Sequence, residues 1–385
     1  NVTIARGGTN NVIGGIGSLT KNGAGTLTVD RDISHEGDTN VAQGSLILSN
    51  LGSLGNSPLS GYLNVASSAY MQADGAVNNI AGANISGNLV VNNPTFTTSK
   101  TTPAGGTGDL NVLGGHVTLN DSVNANIDGG LYIDRGIVTL NNARLTVNSD
   151  SVYGANPATI STGGRLEGIG TLAISGGSQR ALNNGGVIEP GSFLNPYGTL
   201  TVQGNYRGMA GGQLIVNNVL ADDGSPSSRL VIDGDSVGNN PTDVRVINHN
   251  GQGGIATSGI EFARITGSST GSEFRLLPDY LGNSAPNGAV VGGTTLYFMD
   301  SYLAGGDRHF VLKTLLGPDG QPVLNPSIPL YEAYPAVLMR LNRLETLKQR
   351  VGNRSWLNNS SVSAGDFVEE SRGAWLRFDG LLGRY

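Results

Sequence analysis

Residues that most often carry catalysis or bind metals are sparse in this sequence. The four histidines are His35, His116, His249 and His309, and none lies within four residues of another. A helical metal motif places two histidines within one turn, so this spacing excludes it. We expect each histidine to be a surface or loop residue. Cysteine is absent, which excludes thiolate metal sites, thiol nucleophiles and disulfide bonds.

Carboxylates are more numerous, but they are scattered along the chain. Enzymes that cleave glycosidic bonds need at least two of them close together. The acidic residues form small separate groups, which are Asp30, Asp32 and Glu36; Asp121 and Asp128; Asp222 and Asp223; and Asp233 and Asp235. The stretch Asp233–Asp243 has the spaced carboxylates of a calcium loop but lacks its closing Glu. We therefore predict a chain that is not an enzyme, with no catalytic, cofactor-binding or metal-binding residues.

Composition describes the scaffold that surrounds these side chains. Glycine accounts for 60 of 385 residues, about twice its usual share, without the strict period of collagen. Residues 328–385 hold eight of the 23 Lys and Arg and six of the 29 Asp and Glu, which leaves a net charge of −8 on residues 1–327. Such an acidic body argues against nucleic acid as a partner. The sequence contains no run of about 20 apolar residues of the kind that forms a membrane-spanning helix. Because Asn1 already lies in a strand-like run and no signal peptide precedes it, we expect this chain to be a fragment of a longer precursor.

A short unit recurs along the chain: a glycine or polar turn, an alternating strand, and another turn. Its clearest copies are Gly23–Val29, Gly44–Ser49, Gly87–Asn92, Gly129–Asp134, Ala143–Ser149, Gly170–Ser175, Gly198–Gly204 and Gly211–Asn217. Alternation over four to six residues between turn formers predicts β-strands. Their loose spacing of about ten to twenty residues favours the rungs of a solenoid, which tolerates insertions at its corners.

Pairs of asparagines fall between these strands and indicate sharp corners. They are Asn10–Asn11, Asn78–Asn79, Asn92–Asn93, Asn141–Asn142, Asn183–Asn184, Asn217–Asn218 and Asn239–Asn240. Asparagine tolerates the left-handed backbone that a corner needs, and stacked asparagines can form hydrogen-bonded ladders. The alternative is ordinary hairpin turns in a β-sandwich. Because two-residue Asn-Gly turns are few, we favour an all-β fold with a parallel β-helix.

Two stretches resemble the passenger domains of autotransporters, which Gram-negative bacteria secrete by the type V route. Thr20–Asn50 resembles the passenger-associated repeat in its Lys-x-Gly-x-Gly-Thr-Leu-Thr-Val opening at Lys21–Val29 and its Gly-Ser-Leu return at Gly44–Leu46. Asn183–Asp235 and Gly259–Leu276 are similar to the pertactin-like end of passengers, and Arg308–Thr314 resembles its last strand.

This resemblance implies an all-β, right-handed parallel β-helix (a solenoid) with a C-terminal cap and one terminal amphipathic α-helix, divided into four regions. Residues 1–177 are passenger repeats of the β-helix, and residues 178–316 are its C-terminal cap, called the autochaperone in related passengers. Residues 317–371 are a linker with a helix at about 334–351, and residues 372–385 begin the first strand of a translocator barrel that is truncated here. We expect the autochaperone core to contain Tyr206, Leu214, Ile215, Leu230, Ile232, Phe262, Phe274, Tyr297 and Phe310.

The predicted helix is amphipathic, with an apolar arc flanked by arginines. The arc contains Val337, Leu341, Leu344, Leu347 and Val351, and the flank contains Arg340, Arg343, Arg350 and Arg354. Pro335 suits its first turn and Gly352 its end. The wheel alone leaves open a helix that caps the solenoid or one that lies on a membrane surface. The resemblance implies instead that it threads the lumen of the chain's own outer-membrane barrel.

The resemblance also implies what the whole protein does. It implies export with the help of the outer-membrane assembly machinery, a location on the surface of a Gram-negative bacterium or release from it, and adhesion to host-cell surface molecules. Two other functions stay open from the sequence. One is a stalk for an upstream catalytic domain, and the other is a glycan-cleaving β-helix.

Overall fold

A computed structural model describes residues 1–5, 12–55, 60–99, 107–148, 158–175, 180–238, 240–282 and 285–341. The chain divides into two compact units, residues 1–328 and 329–385. Within the described ranges the regular structure from residue 1 to residue 314 is β-strand joined by turns, and the one helix spans Ile328–Leu341. No helix in these ranges is long and apolar enough to cross a membrane.

The strands are short and follow one another closely. The first twelve are β1 Val2–Ile4, β2 Val12–Gly15, β3 Leu19–Lys21, β4 Thr26–Val29, β5 Asp32–His35, β6 Thr39–Val41, β7 Gly44–Leu48, β8 Ser53–Leu54, β9 Tyr62–Val65, β10 Ala69–Ala73, β11 Ala76–Ile80 and β12 Gly82–Ile85. The next twelve are β13 Asn88–Val91, β14 Thr95–Thr98, β15 Leu110–Leu113, β16 His116–Leu119, β17 Asn124–Ile127, β18 Leu131–Asp134, β19 Ile137–Val147, β20 Ala158–Ile160, β21 Arg165–Ile174, β22 Ala181–Asn184, β23 Val187–Pro190 and β24 Thr199–Gln203. The last ten are β25 Asn205–Gly208, β26 Gln213–Asn218, β27 Arg229–Asp233, β28 Thr242–Asn248, β29 Ile260–Ile265, β30 Phe274–Leu276, β31 Tyr280–Gly282, β32 Ala285–Gly292, β33 Thr295–Ala304 and β34 Asp307–Thr314. Each of the eight recurring units of the sequence overlaps one of these strands, as predicted.

Strands β1 to β30 pair in parallel, mostly with the strand three places further along the chain. Each turn of the chain therefore adds one strand to each of three stacks. The first stack is β1, β4, β7, β10, β13, β16, β19, β21, β23, β26, β28 and β30. The second stack is β2, β5, β8, β11, β14, β17, β19, β21, β24, β27 and β29, and the third is β3, β6, β9, β12, β15, β18, β20, β22 and β25. This connectivity agrees with the predicted parallel solenoid and contradicts the hairpin sandwich, whereas its right-handed sense stays a prediction.

The core follows from the alternation of inward and outward side chains along each strand. In the first stack, aligned inward positions form a column of Leu27, Leu46, Met71, Leu89, Val117, Val138, Leu166, Ile188, Leu214, Val244 and Leu276. All of its members except Leu27 are buried. One continuous apolar core thus runs the length of the solenoid, from Val29 to Leu312.

Some corners use asparagine as the sequence predicted. Asn79 has a φ of 49° at an irregularity within β11, and Asn142 has a φ of 54° where β19 bends from the first stack to the second. Just before this bend Gly168 is the register partner of Leu140, and a Cβ at Gly168 would lie 2.1 Å from the carbonyl oxygen of Leu140. The adjacent rung therefore leaves no room for a side chain at this position.

Asparagine ladders also form, although the longest of them uses single residues and not the predicted pairs. On the third stack the side-chain amides of Asn64, Asn84 and Asn111 each donate to the side-chain oxygen of the preceding rung, at 2.9, 2.9 and 3.0 Å, beginning from Asn40. A second ladder joins Asn92, Asn120 and Asn141. Both ladders fix the register of neighbouring rungs on the outside of the solenoid.

The solenoid ends in an antiparallel meander. Strand β29 pairs in parallel with β27 on one side and antiparallel with β34 on the other. Beyond it, β34 pairs with β33, β33 with β32, and β32 with β31, all antiparallel. The meander thus pairs with the edge of β29 to which a further parallel strand could otherwise bind.

The helix α1, Ile328–Leu341, begins earlier than the predicted 334–351. Asn325 precedes it, with its side-chain oxygen accepting from the backbone N–H of Ser327 at 3.1 Å. The prediction that Pro335 stands in the first turn is wrong, because Pro335 lies inside the helix. The predicted continuation to residue 351, including Leu344, Leu347, Val351, Arg343, Arg350 and Arg354, lies outside the described residues, as does the barrel strand predicted at 372–385.

Candidate functional site

A cluster of aromatic rings joins the last parallel rungs to the antiparallel meander. Phe274 of β30 lies edge-on to Phe310 of β34, with 4.8 Å between ring centroids, and edge-on to Phe262 of β29 at 6.1 Å. Tyr206 of β25 stacks on Phe274 at 6.3 Å. Such pairs contribute about 0.5–1.5 kcal/mol each beyond the burial of their area. The cluster therefore couples the two kinds of strand pairing into one core.

The core positions predicted from the sequence are confirmed. Tyr206, Leu214, Ile215, Leu230, Ile232, Phe262, Phe274, Tyr297 and Phe310 are all buried. They come from strands of the second and third stacks, from the first stack and from the meander. All three stacks and the meander thus contribute side chains to the hydrophobic core of the cap.

The hydroxyl of Tyr206 is the centre of a buried polar network. The side-chain amide of Asn184 donates to it at 3.1 Å, and the hydroxyl of Thr242 is its other partner. Asn184 and Thr242 are completely buried. Burial raises the pKa of Tyr206, so the neutral phenol is retained. Because every partner of this hydroxyl comes from a different rung, the network fixes the register of three rungs.

Asp222 and Asp223 fasten the loop that leads into β29. The carboxylate of Asp223 accepts from the backbone N–H groups of Gly259 at 2.8 Å and Ser258 at 3.2 Å, and from the hydroxyl of Thr257 at 3.1 Å. Partial desolvation opposes its ionisation, but these donors together outweigh that effect and lower the pKa of Asp223. The ionised side chain is therefore part of the folded cap.

Ion pairs cover the outer face of the meander. Glu261 of β29 contacts Arg229 of β27 at 3.1 Å and His309 of β34 at 2.8 Å. Lys313 contacts Asp300 at 2.7 Å, and this hydrogen bond is the main reason that the pKa of Asp300 is lowered. Glu261 therefore joins a parallel and an antiparallel neighbour of the same strand.

A groove lies beside the cap, on the outside of the first stack. Its cavity of about 370 Å³ is lined by Glu167, Glu189, Gly191, Ser192, Phe193, Pro196, Asn217 and His249, and we call it the glutamate groove. Glu167 of β21 and Glu189 of β23 are direct register partners on neighbouring rungs. Arg165 forms ion pairs with both carboxylates. The two glutamates thus lie side by side in the lining of the groove, and Arg165 pairs with both of them.

Comparison with known proteins places this geometry in a family. Residues 181–285 match the family Autochaperone Domain Type 1. The chain is 33% identical over 320 residues to the adhesin BmaC autotransporter of Brucella suis biovar 1 (strain 1330), an alignment that covers 71% of this chain and 9% of the adhesin. This chain is an autotransporter passenger domain.

A second relative covers less of the passenger. The uncharacterized protein YuaQ of Escherichia coli (strain K12) is 31% identical over 170 residues, which is 44% of this chain and 11% of that protein. The passenger described here thus spans about a tenth of the length of these two curated relatives.

The family match coincides with the last rungs of the passenger. It begins at Ala181, the first residue of β22, and ends at Ala285, the first residue of β32. It therefore includes the aromatic cluster except Phe310, together with the Tyr206 network and the Asp223 loop. The boundaries 178 and 316, predicted from the resemblance, are close to this range and stay a prediction.

The glutamate groove was missed by sequence reasoning about this passenger. The two glutamates are separated by a loop and a strand, and nothing local signals that they meet. One signal was present: Arg-Leu-Glu-Gly at 165–168 and Val-Ile-Glu-Pro at 187–190 place Glu at the same position of successive rungs. Aligning the rungs by their inward residues would have found the pair.

The prediction that each histidine is a surface or loop residue is confirmed for His249, which is exposed directly after β28. That prediction is wrong for His35, which is buried in β5 with its Nε2 atom 3.1 Å from the hydroxyl of Thr39. Burial is the main reason that the pKa of His35 is lowered. His116 and His309 lie within strands and His249 directly follows one, each hydrogen-bonded to a side chain of another rung.

The acidic residues weighed for calcium have protein partners in this passenger. Asp233 accepts from the hydroxyl of Thr266, Asp235 from the backbone N–H of Ser268, and Asp243 pairs with Arg275 at 2.6 Å. Among the residues that the structure describes, no three His, Asp or Glu side chains are grouped to hold a metal ion.

Proposed function

We propose that residues 178–316 are the autochaperone of this passenger, a stable end that promotes folding and export of the rungs before it. The observation that supports this most is the aromatic cluster centred on Phe274, which links the last rungs of the family match to Phe310 of the meander beyond it. A rung without such a cap would expose unpaired strand edges and an open apolar core.

The physical basis is the one-dimensional architecture. In a solenoid each rung contacts only its neighbours, so folding that begins at a stable end can propagate rung by rung. The parallel stacks continue without a break from the cap into the earlier rungs, with the same inward columns. A folded cap therefore offers the next rung a complete edge of hydrogen-bond donors and acceptors.

The proposal extends to the partners and location of the whole protein. We place the passenger on the surface of a Gram-negative bacterium, joined by its linker to its own outer-membrane translocator domain and exported with the outer-membrane assembly machinery. Adhesion to host-cell surfaces is its proposed use, and the similarity to a Brucella adhesin supports it. We also propose that residues 1–341 are non-catalytic, so that any catalytic domain would lie outside them.

A cell-surface experiment tests the folding role. The complete gene would be expressed in a Gram-negative host, with residues 178–316 deleted in one variant and Phe274→Ala in another. We expect both to reduce protease-resistant passenger on intact cells, while the translocator still inserts. A Phe193→Ala variant is the matched control, because the side chain of Phe193 is 99% exposed and its loss leaves the core intact. Undiminished folded passenger in the deletion variant would contradict the proposal.

A further inference from the structure

The glutamate groove has features that the folding role leaves unused. Its volume of about 370 Å³ falls within the range of about 300–1,000 Å³ that is typical of small-molecule sites. It lies on the outside of the solenoid, away from the continuous apolar core. Its lining combines charged, amide, imidazole and aromatic side chains, which is the mixture that ligand sites use for orientation and contact area.

Hydrogen bonds hold the polar side chains of the groove in fixed directions. The hydroxyl of Thr139 donates to Glu167 at 2.9 Å, and the amide of Asn217 donates to Glu189 at 3.2 Å. The Nε2 atom of His249 donates in turn to the side-chain oxygen of Asn217 at 2.8 Å. Each carboxylate oxygen has lone pairs beyond the bonds it already accepts. The lining is therefore a preorganised set of acceptors that costs little to order on binding.

Charge narrows the class of ligand. Arg165 contacts both Glu167 and Glu189, so the three side chains carry one net negative charge between them. This residual charge disfavours anionic ligands such as phosphates and sialic acids. The carboxylates retain strong acceptor capacity for neutral O–H donors, since hydrogen bonds to charged groups are stronger than neutral ones.

The loop that follows β23 supplies Phe193 to the lining of the groove and is apolar at its exposed tip. Phe193 and Leu194 are 99% and 91% exposed at the tip of the loop that follows β23. Hydrogen bonds between Ser192 and Asn195 close the base of this loop. Beside it, the ring of Tyr197 meets His249 edge-on, with 6.0 Å between centroids. The ring of Phe193 is exposed to solvent beside the polar side chains of the groove, so a ligand in the groove would bury apolar surface by covering the ring.

We propose that the glutamate groove binds a neutral sugar residue of an oligosaccharide. A pyranose ring has a face of C–H groups, which suits Phe193, and an edge of hydroxyl groups, which suits Glu167, Glu189 and Asn217. The inference deepens the proposed adhesive use of the passenger by assigning a ligand class and a site. Sugar binding and the autochaperone role are measured in separate experiments, so the failure of one proposal can be distinguished from the failure of the other.

Binding to immobilised sugars tests this inference with the full chain. The probes are neutral hexose and N-acetylhexosamine oligosaccharides, their sialylated counterparts, and a lysine-rich peptide for the alternative that the groove binds a cationic side chain. The variants are Phe193→Ser, which alters only an exposed residue, and Glu189→Gln, which preserves shape and removes the charge. Leu303→Ser is the control, because Leu303 is 63% exposed on the meander outside the groove.

The inference expects the chain to bind neutral oligosaccharides more tightly than sialylated ones. Each groove variant should weaken this binding by about tenfold, whereas Leu303→Ser should leave it unchanged. Failure to bind any neutral sugar, wild-type binding by both groove variants, or preference for the lysine-rich peptide would overturn it. Phe193→Ser keeps the test decisive if Glu189→Gln loses its fold. A passenger that is exported normally but binds no sugar contradicts only this inference.

Discussion

Phe274 contacts three other aromatic rings that belong to two kinds of strand pairing. Tyr206 comes from the third stack, Phe262 from the last strand of the second, and Phe310 from the meander. No other ring in the described residues is shown in contact with as many. At the scale of single residues, the coupling between solenoid and cap therefore depends most strongly on this side chain.

Replacing Phe274 by alanine should destabilise the cap. Removing a buried phenylalanine typically costs about 3–5 kcal/mol, since the transfer free energy is lost and a cavity remains. The measurement is the free energy of unfolding from urea denaturation followed by circular dichroism. Phe193→Ala is the control, and because its ring is fully exposed we expect a change within about 0.5 kcal/mol. Equal effects of the two variants would contradict this account of the cluster.

Asp223 should make the stability of the cap dependent on acid. Its pKa is lower in the folded state than in the unfolded state, so its contribution is complete above the unfolded pKa of about 3.9. That contribution is lost as the pH falls through the folded pKa. Asp223→Asn turns one acceptor oxygen into a donor that faces backbone and hydroxyl donors.

The test compares thermal unfolding midpoints of the wild type and Asp223→Asn between pH 7 and pH 3. We expect a lower midpoint for the variant at pH 7 and a smaller difference between the two proteins at pH 3. Asp121→Asn, at an exposed position, serves as the control for removing one negative charge. A difference that is independent of pH would show that the charge of Asp223 is not what stabilises the loop.

At the scale of elements, the passenger-associated repeat has a structural explanation in Lys21. This residue is only 7% exposed at the end of β3, and its ammonium group donates to three backbone carbonyls. The acceptors are Asn22 at 3.1 Å, Gly23 at 2.6 Å and Gln43 of the next rung at 2.9 Å. The Lys-x-Gly opening of the repeat thus ties a turn to the rung that follows it.

Lys21→Met should weaken this junction between rungs. Methionine fills a similar volume but leaves carbonyl groups without their donor, which typically costs about 1–3 kcal/mol. Local hydrogen exchange of residues 19–46 would measure the change. Arg144→Met removes a positive charge at an exposed strand position and should have little effect. Unchanged exchange in the Lys21 variant would mean that the carbonyls find other partners.

The sequence was sufficient to predict the strands but not how they align. Alternation predicted them because each solenoid strand has an inward and an outward face, and the inward residues are apolar. Rung length varies, so the number of residues between register partners varies too. For this reason the pairing of Glu167 with Glu189 could not be predicted from the sequence. Antiparallel pairing in the meander was equally hidden, because an alternating strand reads the same in either direction.

The start of the helix was missed for a local reason. Pro335 was taken as the first turn because proline fits there without loss of a hydrogen bond. In the structure Ser327 directly precedes the helix, Asn325 forms the turn before it, and Pro335 lies inside it. The signal Asn-Pro-Ser at 325–327 was therefore the better guide, since serine is favoured directly before the first helical residue.

The whole molecule differs in construction between its two ends. The described rungs near the start of the chain rely on a narrow core of Leu, Val and Ile, whereas the matched region adds aromatic rings, a buried polar network and antiparallel strands. Such differences set the local free energy of opening and the order in which parts of a chain fold. The account therefore predicts that the C-terminal rungs form first and that protection spreads toward the N-terminal rungs.

Pulse-labelled hydrogen exchange during refolding of the purified chain tests this central claim most directly. The account predicts that the amides of β22 to β30 and the meander gain protection first, followed by β21 to β12 and then by earlier strands. Phe274→Ala should delay all of these phases, whereas Phe193→Ala should delay none. Early protection of β4 to β10 before the cap, or simultaneous protection of all rungs unaffected by Phe274→Ala, would contradict the cap as the template for folding.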